Sequence, residues 1–218
     1  MTDPISPSHS VPQKQSPDFD DARFSAEEIA WRLEMYSADT ALIANRALLW
    51  EKCSDILIGS YQQFWQRLFD CAHGRTVFTA DERSQVMEKL PSRVEKNFSY
   101  PLDSQWMDDI CKTAAYLAKK AVPAPLIAIS TAPVPCEIAL AIRDRFTDQP
   151  ELMVKLQKTM FTTHAIELEM IYSQLATHVR TRDAQKRMAA SRVYQHEVAE
   201  RLSSVQAESA ALRNEIAA

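Results

Sequence analysis

Apolar residues in this chain recur every three or four positions rather than at alternate ones. The clearest case is the segment 106–125, whose apolar positions step by four, four, three and four: Trp106, Ile110, Ala114, Leu117 and Ala121. That spacing places all of them on one face of an α-helix. The sequence therefore predicts a helix with a single buried stripe, which we expect to lie at the centre of the fold.

The same spacing predicts further helices, and their starts and interruptions are visible in the residues. The predicted helix starts are Ser25 and Thr79, each with a glutamate three residues later as in a capping box, Asp39 or Thr40, and Asp103 or Ser104. Pro125 should lie in the first turn of a helix, and Thr147 or Asp148 with Pro150 should start a long one. We expect a bend or a break into two helices within 50–54, a stop at His73-Gly74, a kink or break at Pro91, an interruption at Pro133 and Pro135, and an end of the central helix at Pro123.

The two ends of the chain differ from this helical middle. Residues 1–23 hold four prolines among polar residues and little to bury, which predicts a disordered leader. Beyond His178 the apolar steps alternate between four and three, as in a coiled-coil seam: Val198, Leu202, Val205, Ser209, Leu212 and Ile216. The prediction is a leader, a helical domain over 24–178, and a linker helix over 179–218 that continues beyond the last residue. Packing of this segment inside the globular core is the alternative.

The amino-acid composition excludes several classes of protein. The chain has only two glycines, Gly59 and Gly74, which excludes a Gly-rich phosphate loop and disfavours a β architecture. A net charge of −4 disfavours a nucleic-acid partner. The N-terminus lacks the pattern of a signal peptide, and no apolar run is as long as a membrane span requires, so we expect a cytoplasmic protein without a membrane partner.

Candidate chemistry is sparse. The motifs of serine hydrolases, zinc peptidases, P-loop enzymes and dithiol oxidoreductases do not occur, so the sequence predicts no catalytic residues and no enzyme. The four cysteines have no CxxC spacing and are expected to be small core residues. His164 and Glu167 lie one helical turn apart, but no second pair accompanies them, and we expect no metal there.

Three segments resemble the sensor domain of the globin-coupled sensors, bacterial globins that report oxygen to a chemoreceptor or other output module. In DTALIANRALLWEKCSDILIGSYQQF, Ser60-Tyr61 stands where the family usually has Phe-Tyr. NFSYPLDSQW is similar to a family run at Phe98, Asp103 and Trp106. ICKTAAYLAKKAVPAPLIA resembles the stretch around the proximal haem histidine. The resemblance implies a globin-like fold over roughly 25–175.

The chain departs from the family at the position of the histidine that ligates haem. An ungapped count from Trp106 places Leu117 where the family carries the histidine that binds haem iron, with Ala121-Val122 in place of the following Gly-Leu. Leucine has no electron pair to offer iron. The resemblance therefore implies a globin fold that does not bind haem in the ordinary way, and haem-free globin-like sensors of stress-response complexes are an analogy for it.

The resemblance also implies a pocket, a dimer and a signalling role. The expected pocket residues are Tyr61, Phe64, Phe98, Trp106, Ile110, Ala114 and Leu117. A homodimer would form through 124–146 and 150–178, and the expected contacts there and along the stalk are Leu140, Phe161, Leu168, Tyr172, Val198, Leu202, Val205, Leu212 and Ile216.

The leading interpretation is a haem-free sensory domain in cytosolic, chemotaxis-type signal transduction, fused to a downstream signalling module, with an apolar small molecule as the expected ligand. A haem-binding gas sensor with a non-standard ligand, and a dimerisation module without any ligand, are the alternatives.

Overall fold

The computed structural model describes residues 24–216, and every regular element in that range is an α-helix. The prediction of an all-helical protein is confirmed, and the architecture is compatible with a globin-like fold. The predicted leader, residues 1–23, lies outside the described residues. In chain order the helices are α1 (Ala26–Met35), α2 (Thr40–Asp70), α3 (Ala72–Val77), α4 (Ala80–Ser99), α5 (Ser104–Lys119), α6 (Ala124–Thr131), α7 (Pro133–Arg145) and α8 (Pro150–Ile216).

The predicted N-caps Ser25 and Thr79 are confirmed, and of the alternatives at the other two helix starts the caps are Asp39 and Asp103. Ser25 and Thr79 each form a complete capping box with the glutamate three residues on, at the starts of α1 and α4. The carboxylates of Asp39 and Asp103 accept hydrogen bonds from backbone amides at the starts of α2 and α5. Because these side chains satisfy amides that the helix leaves unpaired, the start of each helix is determined locally.

Some of the predicted bends and breaks in the helices occur in the structure, and others do not. Cys53 leaves the helical region, with φ −138° and ψ 18°, so α2 bends inside the predicted stretch. The expected interruption lies at Ala132, between α6 and α7, and both Pro133 and Pro135 are in the first turn of α7. Of the two outcomes predicted at Pro91, a kink or a break, the break is wrong, because α4 continues through it to Ser99. Pro91 is exposed, so water can replace the lost hydrogen bond while Leu90 and Val94 hold the helix to the core.

The predicted helix stop at His73-Gly74 is also wrong. The long helix ends earlier, at Asp70, and both residues lie in α3. Cys71 separates the two helices, since its Sγ accepts a hydrogen bond from Gly74 N and donates one to Leu68 O, both at 3.1 Å. A Cβ at Gly74 would lie 1.9 Å from Leu68 O, so glycine permits a close approach here and does not terminate the helix.

The central predicted helix ends before Pro123. α5 stops at Lys119, and Ala121 adopts a left-handed conformation with φ 51°. The amide of Val122 then donates to Leu117 O at 3.0 Å, a bond typical of a helix C-terminus that ends through a left-handed residue. Because that conformation suits glycine best, Ala121 is a strained substitute.

Helix packing makes α2 the centre of the domain. α2 contacts α3, α4, α6, α7 and α8, whereas α5, the helix we expected at the centre, packs mainly against α8. Helix α8 is 67 residues long, about 100 Å at 1.5 Å per residue. Its residues pack into the core as far as His178, and those beyond are mostly exposed. Burial therefore changes along a single continuous helix.

Candidate functional site

A cavity of about 70 Å³ lies among α2, α4, α5 and α8, with α6 and α7 at one end. Most of its wall is apolar and includes Leu90, Val94, Ile127 and Val134. Polar side chains are confined mainly to the part of the wall formed by α2, α4 and α8. The cavity is thus an apolar space with one polar corner.

The predicted pocket residues divide between three places. Those that line the cavity are Tyr61, Phe64 and Leu117. Those that line a neighbouring cleft of about 270 Å³ are Trp106 and Ile110. The remaining two are buried in the core and line neither space: Phe98 and Ala114. The cavity and the cleft are adjacent, since residues of α4, α5 and α8 line both.

The polar corner is built around a hydrogen-bond chain that crosses four helices. Trp106 Nε1 donates to Asn97 Oδ1 at 2.8 Å, and Asn97 Nδ2 donates to Tyr61 Oη at 3.5 Å. The Tyr61 hydroxyl in turn donates to the carboxylate of Glu167. Each helix of the set α5, α4, α2 and α8 contributes one residue, so the chain ties their positions together.

Burial and charge both act on Tyr61. Burial, and then the negative charge and hydrogen bond of Glu167, raise the pKa of the Tyr61 phenol well above its usual value. Tyr61 therefore remains a hydrogen-bond donor at physiological pH. Tyr61 was expected to face the pocket, but its partner on α8 was not foreseen.

His164 is the unusual residue of this corner. Its side chain is 7% exposed, and within the described residues neither ring nitrogen has a hydrogen-bond partner. Nδ1 lies 3.7 Å from Glu167 Oε2, which is too long for a direct hydrogen bond, and the ring meets the Tyr61 ring edge-on. Burying an imidazole without partners is costly, so the corner favours a polar guest.

Sequence reasoning missed the role of His164 and Glu167 in the cavity, although a signal was present. They follow Met160 and Thr163 by four positions each and so continue the inward face of α8. Among the described residues no group of three or more His, Cys, Asp or Glu side chains is placed to hold a metal.

Arg46 is a second residue that the sequence did not reveal as part of this site, and it contacts residues that form the polar corner. It is fully buried, donates to Tyr100 O at 2.9 Å and to Asn97 O, and lies over the Trp106 ring at 5.5 Å. Burial lowers the pKa of the Arg46 guanidinium to about 10, which keeps it charged at neutral pH. By binding carbonyls at the end of α4, Arg46 positions Asn97. The signal was an arginine in the apolar stripe of Leu42.

The cavity is small in comparison with haem. An apolar cavity of about 150 Å³ holds one benzene ring. A porphyrin is several times larger than benzene, whereas this cavity has a volume of about 70 Å³, so haem would need the helices to separate. Leu117 lines the cavity with a side chain that cannot ligate iron.

The residues predicted to contact a partner differ in exposure. Leu140 and Phe161 are about half exposed, whereas Leu168 lines the cavity and Tyr172 packs against the core. On the stalk, large parts of Val198, Leu202 and Val205 are exposed. The predicted stalk contacts whose side chains lie outside the described residues are Leu212 and Ile216.

The segment Ala124–Arg145 is strongly apolar. With a mean hydropathy of 1.6 it would pass, by length and composition alone, as a membrane-spanning helix, which the sequence reasoning overlooked. The segment is divided between α6 and α7, and about a third of its most apolar 18 residues are buried in the fold. A single stretch of this kind is weak evidence for a membrane. Its exposed side chains include Ile129 and Leu140.

No protein-family model matches the chain, and no curated protein matches it significantly.

Proposed function

We propose that residues 24–178 are a haem-free, globin-like sensory domain of a cytosolic, chemoreceptor-like signal transducer, and that residues 179–218 relay its state towards an output module. The observation that carries this proposal is the continuity of α8. Its first part forms a wall of the cavity through His164 and Glu167, and the same helix extends beyond His178 as an exposed stalk. A guest that alters the cavity wall therefore acts directly on the helix that leaves the domain.

The end of α5 supports the globin-like alignment. The resemblance places Ala121 where the family has glycine, and Ala121 has the positive φ that favours glycine. Leu117 and Tyr61, the residues aligned with the proximal histidine and with the tyrosine that faces bound oxygen, line the same cavity. Two separate features of the alignment thus agree with the geometry.

A homodimer is the second part of the proposal. Large apolar side chains are exposed on α6, α7 and the first part of α8: Ile129, Leu140, Val154 and Phe161. A second copy of the chain would remove these side chains from water and bring two stalks together. Binding, rather than catalysis, is the proposed activity of the domain.

A haem-binding gas sensor is the second candidate, and one observation favours it. His164 lines the cavity and has both ring nitrogens unpaired within the described chain, so it offers an imidazole that Leu117 lacks. The small volume of the cavity weighs against this candidate. A dimerisation module without a ligand is the third candidate, and its cavity would hold only water.

Two measurements test the proposal. Analytical ultracentrifugation of the full chain at micromolar concentration should give a dimer, and Phe161→Glu should shift it towards monomer, while Glu151→Gln, an exposed change near the start of α8, should not. A clean monomer for the unmodified chain would contradict the relay.

Haem binding is measured separately. The protein expressed with haem supplied should lack a Soret band, and a Leu117→His variant that gains one would support the alignment. A strong Soret band with stoichiometric iron in the unmodified chain, lost in His164→Leu, would instead establish the gas-sensor candidate.

A further inference from the structure

The His164 side chain in the cavity wall lacks hydrogen-bond partners among the described residues. The ring is more than nine-tenths buried, lines the cavity, and lacks a partner for either nitrogen within residues 24–216. The neutral imidazole has one N–H donor and one acceptor nitrogen. A guest that satisfies His164 must therefore carry a hydrogen-bonding group, which a pure hydrocarbon lacks.

We infer that this cavity binds a short-chain alcohol, whose hydroxyl lies between His164 and Glu167 and whose alkyl group occupies the apolar part of the cavity. This inference rests on the proposed sensory function and specifies its ligand class. It replaces the purely apolar ligand that the sequence led us to expect.

The hydroxyl follows from the distances and charges of the corner. A separation of 3.7 Å between His164 Nδ1 and Glu167 Oε2 exceeds a direct hydrogen bond, and a hydroxyl oxygen can bridge the two atoms after a small outward movement of either side chain. A hydroxyl can accept from the His164 ring and donate to the Glu167 carboxylate, which already accepts from Tyr61. A carboxylate guest at this corner would meet the negative charge of Glu167. Arg93 also lines the cavity, but it is exposed, so solvent screens its charge, and a neutral hydroxyl fits better than an acid.

The size of the guest follows from the volume. Because about 150 Å³ accommodates the six carbons of benzene, about 70 Å³ accommodates in proportion roughly three non-hydrogen atoms, and an alcohol of three carbons is the largest guest that we expect. The apolar side chains beside the corner, among them Val94, Leu117 and Ile127, suit an alkyl group of that length. A ligand this small binds weakly, with a dissociation constant of about 1 mM.

The test is a saturation-transfer NMR titration of the full chain with 1-propanol and with sodium propionate. We expect propanol to bind with a dissociation constant of about 1 mM and propionate to bind at least about tenfold more weakly. His164→Leu should weaken propanol binding about tenfold, because the hydroxyl loses a partner. His196→Leu, a matched change on the exposed stalk, should leave it unchanged.

Xenon NMR provides the control for folding and access. Xenon should enter the cavity of both the unmodified chain and His164→Leu, since it needs only an apolar space. The inference is overturned if propionate binds as well as propanol, or if His164→Leu retains full propanol affinity. It is also overturned if propanol fails to bind, whether xenon enters or not, because the corner then holds water only or is closed.

The oligomeric state separates this inference from the proposed function. A dimer that does not bind propanol overturns the alcohol site and leaves the relay standing. A monomer that binds propanol through His164 retains the site and overturns the relay.

Discussion

The two parts of α8 have the same secondary structure and opposite surroundings. In residues 150–178 the inward face is buried, and Met160 is 0% exposed. In residues 179–209 the described apolar side chains are largely exposed, and Val205 is 61% exposed. Helical spacing predicts a helix in both parts, but among the described residues only the first part packs against the other helices. A long helix gains most of its stability from packing, so the second part needs a surface from elsewhere.

The largest expected difference between the two parts is in packing energy. Met160→Ala removes a fully buried side chain and should lower the free energy of unfolding by about 2 to 5 kcal/mol. Val205→Ala should change it by no more than about 0.5 kcal/mol, because an exposed position loses little. Urea denaturation followed by tryptophan fluorescence measures both. Equal losses for the two variants would mean that the stalk packs against the domain.

The next difference concerns hydrogen bonds. Tyr61→Phe removes the donor to Glu167 on the buried part of α8 and should cost about 1 to 3 kcal/mol of stability, since a buried carboxylate loses a partner. Tyr194→Phe, on the exposed part, is the matched control and should be neutral within about 0.5 kcal/mol. Thermal unfolding monitored by circular dichroism compares them. A neutral Tyr61→Phe would show that the chain of hydrogen bonds across the four helices is dispensable.

A charge placed on the stalk should act on association and not on folding. Leu202→Glu puts a carboxylate into the predicted seam and should weaken dimerisation about tenfold, typical of a change at an interface residue. The unfolding midpoint, measured at a concentration low enough for the chain to be monomeric, should stay unchanged, because Leu202 is largely exposed in the single chain. Sedimentation equilibrium gives the association constant. Unaltered dimerisation would place the dimer contact entirely on α6, α7 and the buried part of α8.

The smallest expected effect is a pH dependence at the boundary between the two parts. Burial lowers the pKa of His178 below its usual value, so the unfolded chain binds a proton at a higher pH than the folded one. Stability should therefore fall as the pH drops below about 6.5, the usual histidine pKa, towards the lower folded pKa. Urea midpoints between pH 8 and 5 measure the slope. His178→Gln should reduce the change of the urea midpoint with pH, whereas His196→Gln, on the exposed stalk, should not. If both variants show the same pH dependence, that dependence arises from other titratable groups.

Local interactions explain what was predictable in the fold. The caps at Ser25, Asp39, Thr79 and Asp103 are bonds between residues two or three positions apart, so their sequence alone determines them. The inward stripe of α5 and the change of character near His178 also follow from the period of apolar residues. The resemblance identified part of the cavity wall, since Tyr61 and Leu117 line it.

The remainder depended on how separate helices pack, which periodicity does not encode. Pro91 stays within α4 because Leu90 and Val94 hold the helix to the core, and Gly74 lies within α3 where the end of α2 approaches it closely at Leu68 O. The polar corner unites Asn97, Tyr61 and Glu167 from three helices. Spacing along one helix could not reveal that meeting. The sequence by itself determined most of the helices and which of their faces turn inward. Only the tertiary structure decided that His164, without a hydrogen-bond partner among the described residues, would line the same cavity as Leu117. That arrangement depends on contacts between residues far apart in the chain.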